Sequence, residues 1–198
     1  MVKTIVGSFD SFNEAHQVAN DLRSAGFLDS DISIVANNAA GDYRDDPRVT
    51  TPQDEGSATA KGAVTGAVVG GGAGLAASLA GLAIPGIGPI IAAGPIVATL
   101  AGAGTGAVAG GLIGGLVDLG VPESDAHYYA ESVRRGGALV TVRADHSRAD
   151  EVTDILRAHG AVDIEGRVER WREAGWERFD QAAQPMSEDD IRRDRAMY

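Results

Sequence analysis

The chain has 198 residues, no cysteine and a formal net charge of −11. An acidic surface repels phosphate, which argues against nucleic acid as a partner and leaves no basic patch for an anionic lipid surface. Without thiols there is no disulfide, zinc–thiolate site or cysteine nucleophile, a usage that fits a reducing compartment.

The first segment, Met1 to Asp10, has no secretory pattern, so the expected location is the cytoplasm or the cytoplasmic face of a membrane. Residues 3–9 predict a strand. Asp10 or Ser11 then caps a helix, Glu14 three residues after Ser11 completing a capping box, and Phe12, Ala15, Val18, Ala19 and Leu22 recur at helical spacing until Gly26. Residues 31–36 predict a second strand, giving a βαβ unit over residues 1–38. Residues 39–60 have no apolar periodicity and read as a mobile acidic linker.

From Gly62 to Val117 there is no charged side chain in 56 residues. Gly62, Gly66, Gly70 and Gly74 form one ladder with a spacing of four, and Gly102, Gly106, Gly110 and Gly114 form a second. The breaker Ile84-Pro85-Gly86-Ile87-Gly88-Pro89, followed by Gly94-Pro95, separates them. The region 61–118 therefore predicts a hairpin of two helices. Each would have about 22 residues and be roughly 33 Å long, close to the ~30 Å hydrocarbon core of a bilayer. Glycine inside a helix costs about 1 kcal/mol relative to alanine, so close packing must offset the loss. Glycines four apart lie on one ridge and let a second backbone approach, as in a glycine zipper. Two settings remain open: insertion into lipid, or burial in the shared core of a soluble homo-oligomer. Neither interface carries Trp or Tyr, and Lys61 is the only basic anchor.

After Asp118, Pro122 opens a helix with Glu123 and Asp125 in its first turn, and Ala126, Tyr129, Ala130 and Val133 form its stripe. Residues 138–144 predict a strand, Ala149 to His159 a helix ended by Gly160, and residues 161–165 a last strand. The order βαβ, hairpin, αβαβ predicts an α+β ferredoxin-like split βαβ sandwich interrupted by the apolar hairpin. Its second half covers 119–169. Ile5, Val18, Leu22, Ile34, Val140, Val142, Ile155 and Ile164 would supply a core independent of the hairpin. The tail, 170–198, carries Trp171, Trp176 and Phe179, expected to form an interface with the sheet domain of the same or a neighbouring subunit.

No residue set points to catalysis, a cofactor or a metal. His16, His127, His146 and His159 have no ligand spacing. Asp145-His146-Ser147 reads as a strand end and helix cap, because adjacent residues cannot face one another as a triad. Gly70-x-Gly72 lacks a phosphate-loop lysine. Arg134-Arg135-Gly136-Gly137 could hold an anion, but cations at a helix C-terminus are favourable in their own right.

Three segments carry a family resemblance: Gly120 to Tyr129, Arg134 to Val142, and Ile155 to Asp163. They closely resemble bacterial general stress proteins with a central glycine-zipper region, and the first βαβ unit is similar to the heat-induced stress protein domain of that group. The resemblance implies a non-enzymatic protein that accumulates under stress, cytoplasmic or associated with the inner membrane. It carries over no catalytic residue. The expected partners are the protein itself and, in the lipid setting, the bilayer. A soluble ring or filament and a regulatory ligand-binding module are the alternatives.

Overall fold

The computed structural model describes residues 1–39, 79–96 and 107–197. The elements are β1 (Val2–Phe9), α1 (Phe12–Ser24), β2 (Ile32–Asn37), β3 (Leu79–Ile84), β4 (Gly88–Ala93), α2 (Ala107–Asp118), α3 (Glu123–Arg134), β5 (Ala138–Asp145), α4 (Ala149–Ala158), α5 (Ile164–Glu173) and α6 (Glu188–Arg195). This is a mixed α/β arrangement around one five-stranded sheet. The strand order is β1-β5-β2-β4-β3, and every neighbouring pair is antiparallel.

The first unit forms as its sequence predicts. Ser11 accepts from the Glu14 amide and Glu14 accepts from the Ser11 amide, closing the capping box. Phe12, Ala15, Val18, Ala19 and Leu22 are all buried. β1 and β2 flank β5 on either side, so β5 is inserted between the two strands of the βαβ unit.

Two expectations fail. First, the break between the glycine ladders is a β-hairpin and not a helix–helix turn. β3 and β4 join through Pro85–Ile87, with the Ile87 amide 3.0 Å from the Ile84 carbonyl and Gly86 at φ +79°. β4 then pairs with β2 from Ile34↔Ala93 to Asn37↔Ile90. The run Gly88–Ala93 is six residues long, carries adjacent isoleucines and is bounded by glycine. That length and punctuation suit a strand. Pro89 sits near the start of its strand, a position that tolerates a missing N–H.

Second, residues 161–165 form no strand. The Val162 amide donates one bond to the Ser8 carbonyl at 2.8 Å. Asp163 then caps α5, its carboxylate accepting from the Gly166 amide at 3.2 Å. Ile164, Val168 and Trp171 recur at i, i+4 and i+7, a helical stripe; Val168 and Trp171 are buried, while Ile164 is half-buried.

Both faces of the sheet are covered. On one, α1 and α4 pack Leu22, Val152 and Leu156 against Ile32, Ile34, Ile91, Val140 and Val142. On the other, Leu112 and Leu116 of α2, Ala126, Ala130 and Val133 of α3, and Phe179 pack against Val35, Ile90, Ala92 and Leu139. Ile84, Ile87 and Ile96 belong to this second core. The described parts of the glycine-rich stretch, around residues 84–96 and 112–116, thus enter the globular core. Of the residues expected to form a core without them, Ile5, Val18, Leu22, Ile34, Val140, Val142 and Ile155 do cluster together, with Ile91 as the one described member from 61–118. Among the described residues no helix is long and apolar enough to cross a membrane. The acidic linker lies outside the described residues apart from its first position, Ala39.

Candidate functional site

Gly62, Gly66, Gly70, Gly74, Gly102 and Gly106 lie outside the described residues. Gly110 and Gly114 lie on α2. That helix is kinked at Gly111, whose φ of +50° and ψ of −143° are non-helical. A β-carbon at Gly111 would also sit 3.3 Å from Ile84. The turn following the kink directs Leu112 and Leu116 into the core, both essentially inaccessible. The other side of the same turn faces outward. A β-carbon at Gly114 would meet nothing within 4 Å, and Val117 is 41% exposed.

This outward side forms one wall of a groove of about 1020 Å³. Ile113, Gly114 and Val117 line it from α2, His127 from α3, and Trp176 and Phe179 from the C-terminal segment. His127 Nδ1 and Trp176 Nε1 are buried and have no hydrogen-bond partner among the described residues. Trp176 packs edge-on to Trp171 at 5.8 Å and tilted against Tyr128 at 6.1 Å. The Arg172 guanidinium donates to the Tyr128 hydroxyl at 2.8 Å. Tyr129 is half-buried against the second core; burial, then Asp125 and Glu165, raise its hydroxyl above the ordinary tyrosine range, so it stays neutral.

The aromatic residues of the tail pack on their own chain. Trp171 is 3% exposed and Phe179 4%, while Trp176 is half-buried. Phe179 fills the second core beside the β3–β4 turn, 3.0 Å from where a Gly86 β-carbon would lie.

The segment Arg134–Gly137 meets its anions within the chain. Glu131, fully buried, accepts from Arg135 Nε at 2.7 Å and from Arg134 at 3.3 Å. Arg135 also reaches Asp194 of α6 at 2.5 Å and lies 4.8 Å over the Trp171 ring. Arg195 donates to the carbonyls of Gly136 and Asp10. These bonds fasten the C-terminal helix to the end of α3 and to the β1–α1 turn. The buried Glu131 was missed in the sequence, although arginines at i+3 and i+4 were a usable signal.

The histidines are dispersed. His16 contacts Asn20, His159 lies 2.7 Å from Asp21, and His146 is exposed. Among the described residues no three His, Cys, Asp or Glu side chains cluster so as to hold a metal ion. Comparison with protein-family models, curated proteins and solved structures finds no match.

Proposed function

We propose that the protein is a non-enzymatic stress-response protein that assembles with copies of itself through its glycine ridge, with the α/β domain as a divergent ferredoxin-like sandwich. The observation that carries the reading is the division of α2. Leu112 and Leu116 hold the helix to the sheet, while Gly114 and Val117 present a small apolar surface with open space above it. A helix so anchored offers its glycine side to another helix at little entropic cost, because its own position is already fixed. The family resemblance supports the stress role, and the absence of charge from Gly62 to Val117 supports burial of that stretch in an assembly.

Association with a bilayer is the second reading, favoured by the same charge-free run. The burial of Ile84, Ile87, Ile90 and Ile96 against the sheet argues against it, since these side chains are already spent in a protein core.

Gly114→Leu tests the proposal. In one isolated chain the new side chain enters open groove, and leucine is the better helix former by up to about 1 kcal/mol. Folding stability should hold or rise while oligomer mass, measured by sedimentation velocity without detergent, falls. Unchanged mass would sink the ridge as the assembly surface. Recovery of the wild-type protein only in the membrane fraction would favour the bilayer.

A further inference from the structure

Among the described residues no strand pairs with the outer edge of β1, where residues 161–165 predict one. Alternation of the strand settles which main-chain groups face outward. The Met1 carbonyl accepts from the His146 amide at the end of β5, so odd-numbered residues face β5. The Ser8 carbonyl accepts from Val162 on the opposite side, so even-numbered residues face away. The Ser8 carbonyl is thereby satisfied; among the described residues its amide is not. The amides and carbonyls of Val2, Thr4 and Val6 have no partner among the described residues.

This edge has few of the devices that usually blunt one. β1 runs eight residues against β5 without a register shift and contains no proline. β3, at the other end of the sheet, has an irregularity between Ala80 and Leu82. Lys3 is the sole charged residue in β1. The rim is apolar: Val2 is 69% exposed, Ile5 and Val6 are half-buried, and Leu119 sits beside Thr4, whose hydroxyl donates to the Leu119 carbonyl.

We infer that β1 is the strand by which two copies of this chain join, antiparallel about a two-fold axis through Thr4, into one continuous ten-stranded sheet. The occupant is argued from donor–acceptor complementarity. In an isologous pair centred on Thr4, Val2 faces Val6 of the second copy, Thr4 faces Thr4, and Val6 faces Val2. All three are outward-facing residues on both strands, so each opposed pair exchanges two main-chain bonds. Of the outward main-chain groups of β1, the Ser8 amide alone stays outside this register. Val–Val and Thr–Thr are also favourable cross-strand neighbours. Lys3 falls opposite Ile5, so the like charges do not face one another directly. This interface is separate from the α2 ridge and stands or falls without it.

A single cysteine tests the register, because the native chain has none. In the pair, Thr4→Cys on each copy places the two Cα atoms about 5.5 Å apart, within the roughly 4.4–6.8 Å that a disulfide spans. Mild oxidation of full-length T4C should give a covalent dimer on a non-reducing gel. V2C, although more exposed, faces Val6 and should give none, whereas V2C/V6C should cross-link. Failure of T4C to cross-link, or equal cross-linking of V2C, overturns the inference. Thr4→Lys opposes two ammonium groups at the axis and should cause loss of the paired species in sedimentation with an unchanged circular-dichroism spectrum. A folded T4K protein of unaltered mass also overturns it. Adding Gly114→Leu to T4C should leave the cross-link intact, which separates this edge from the ridge.

Discussion

Phe179→Ala asks whether the C-terminal segment is an integral part of the core. Phe179 is 4% exposed and belongs to the cluster formed by Ile84, Ile87, Ile90, Leu112 and Leu116. Burying a phenylalanine contributes about 1.5–3 kcal/mol by transfer alone. Truncation adds the cost of the space left behind, and Phe→Ala in a core totals about 3–5 kcal/mol. Collapse of the site is restricted. Gly86 is held at φ +79° in the hairpin turn, and a β-carbon there would lie only 2.7 Å from the Asp180 carbonyl, so turn and strap already touch through backbone. The upper part of that range is therefore expected, a large share of the roughly 5–15 kcal/mol that holds a domain folded. In urea denaturation followed by circular dichroism, the midpoint should fall with little change in slope. The thermal midpoint should drop by roughly 8–20 °C at about 2–4 °C per kcal/mol for a chain of this size. A cost within about 0.5 kcal/mol, as for a surface substitution, would refute the placement of Phe179 in the core.

Three further outcomes are expected. Arg135→Ala leaves Glu131 and Asp194 without their shared cation and should cost about 3–5 kcal/mol in the same denaturation assay, whereas Glu131→Gln, which keeps the shape and removes the buried charge, should cost less. Gly94→Ala should be strongly destabilising and lower the yield of folded protein, because Gly94 is at φ +81° and a β-carbon would collide with the Ile32 carbonyl, with Ser33 Cα at 2.9 Å. At the start of α6 the Ser187 hydroxyl, and then Arg193, hold the Asp190 carboxyl below the usual carboxylate range. Its folded value is depressed, so its contribution is present above the unfolded value and lost as pH falls through the folded one. The protection of the Ile191 amide, relative to its intrinsic exchange rate, should fall at acid pH, and Ser187→Ala should move that onset upward.

Local signals were the most legible part of the sequence. Ser11 with Glu14, the Phe12–Leu22 stripe and Gly26 define α1, because a helix is specified by caps and periodicity within one short window. β5 was legible for a similar reason: a β-branched run between Gly137 and Asp145. The hairpin β3–β4 was hidden by composition. Alanine and glycine dominate on both sides of it, so the surroundings of Ile84 to Ala93 mask its own punctuation. Its strand identity comes from pairing with Ile34–Asn37, more than forty residues earlier. Residues 161–171 present the opposite case. Ala161-Val162-Asp163-Ile164 looks strand-like over four residues, but Asp163 as a cap and the Ile164–Val168–Trp171 spacing carry a longer-range helical signal. The groove between α2, α3 and the tail could not be read at all, because its walls come from three separated segments.

The placement of Leu112 and Leu116 changes what the charge-free stretch can be. A purely lipid-facing or purely zipper-forming helix would present one kind of surface, whereas α2 has two. The kink at Gly111 is what separates them: it turns the helix so that leucines four apart meet the sheet while Gly114 stays outside. The hairpin is similarly divided. Ile91 enters the core under α1, and Ile90 and Ala92 enter the core under α2 and α3. Among the described residues of the run, the isoleucines and leucines do the holding, and Gly114 keeps the outer side of α2 small. If the protein assembles as proposed, folding and assembly would draw on different residues of one helix. Substituting Leu112 or Leu116 should remove the domain before any effect on association can be read. Substituting Gly114, whose β-carbon would meet nothing within 4 Å, should leave the domain standing and address association alone.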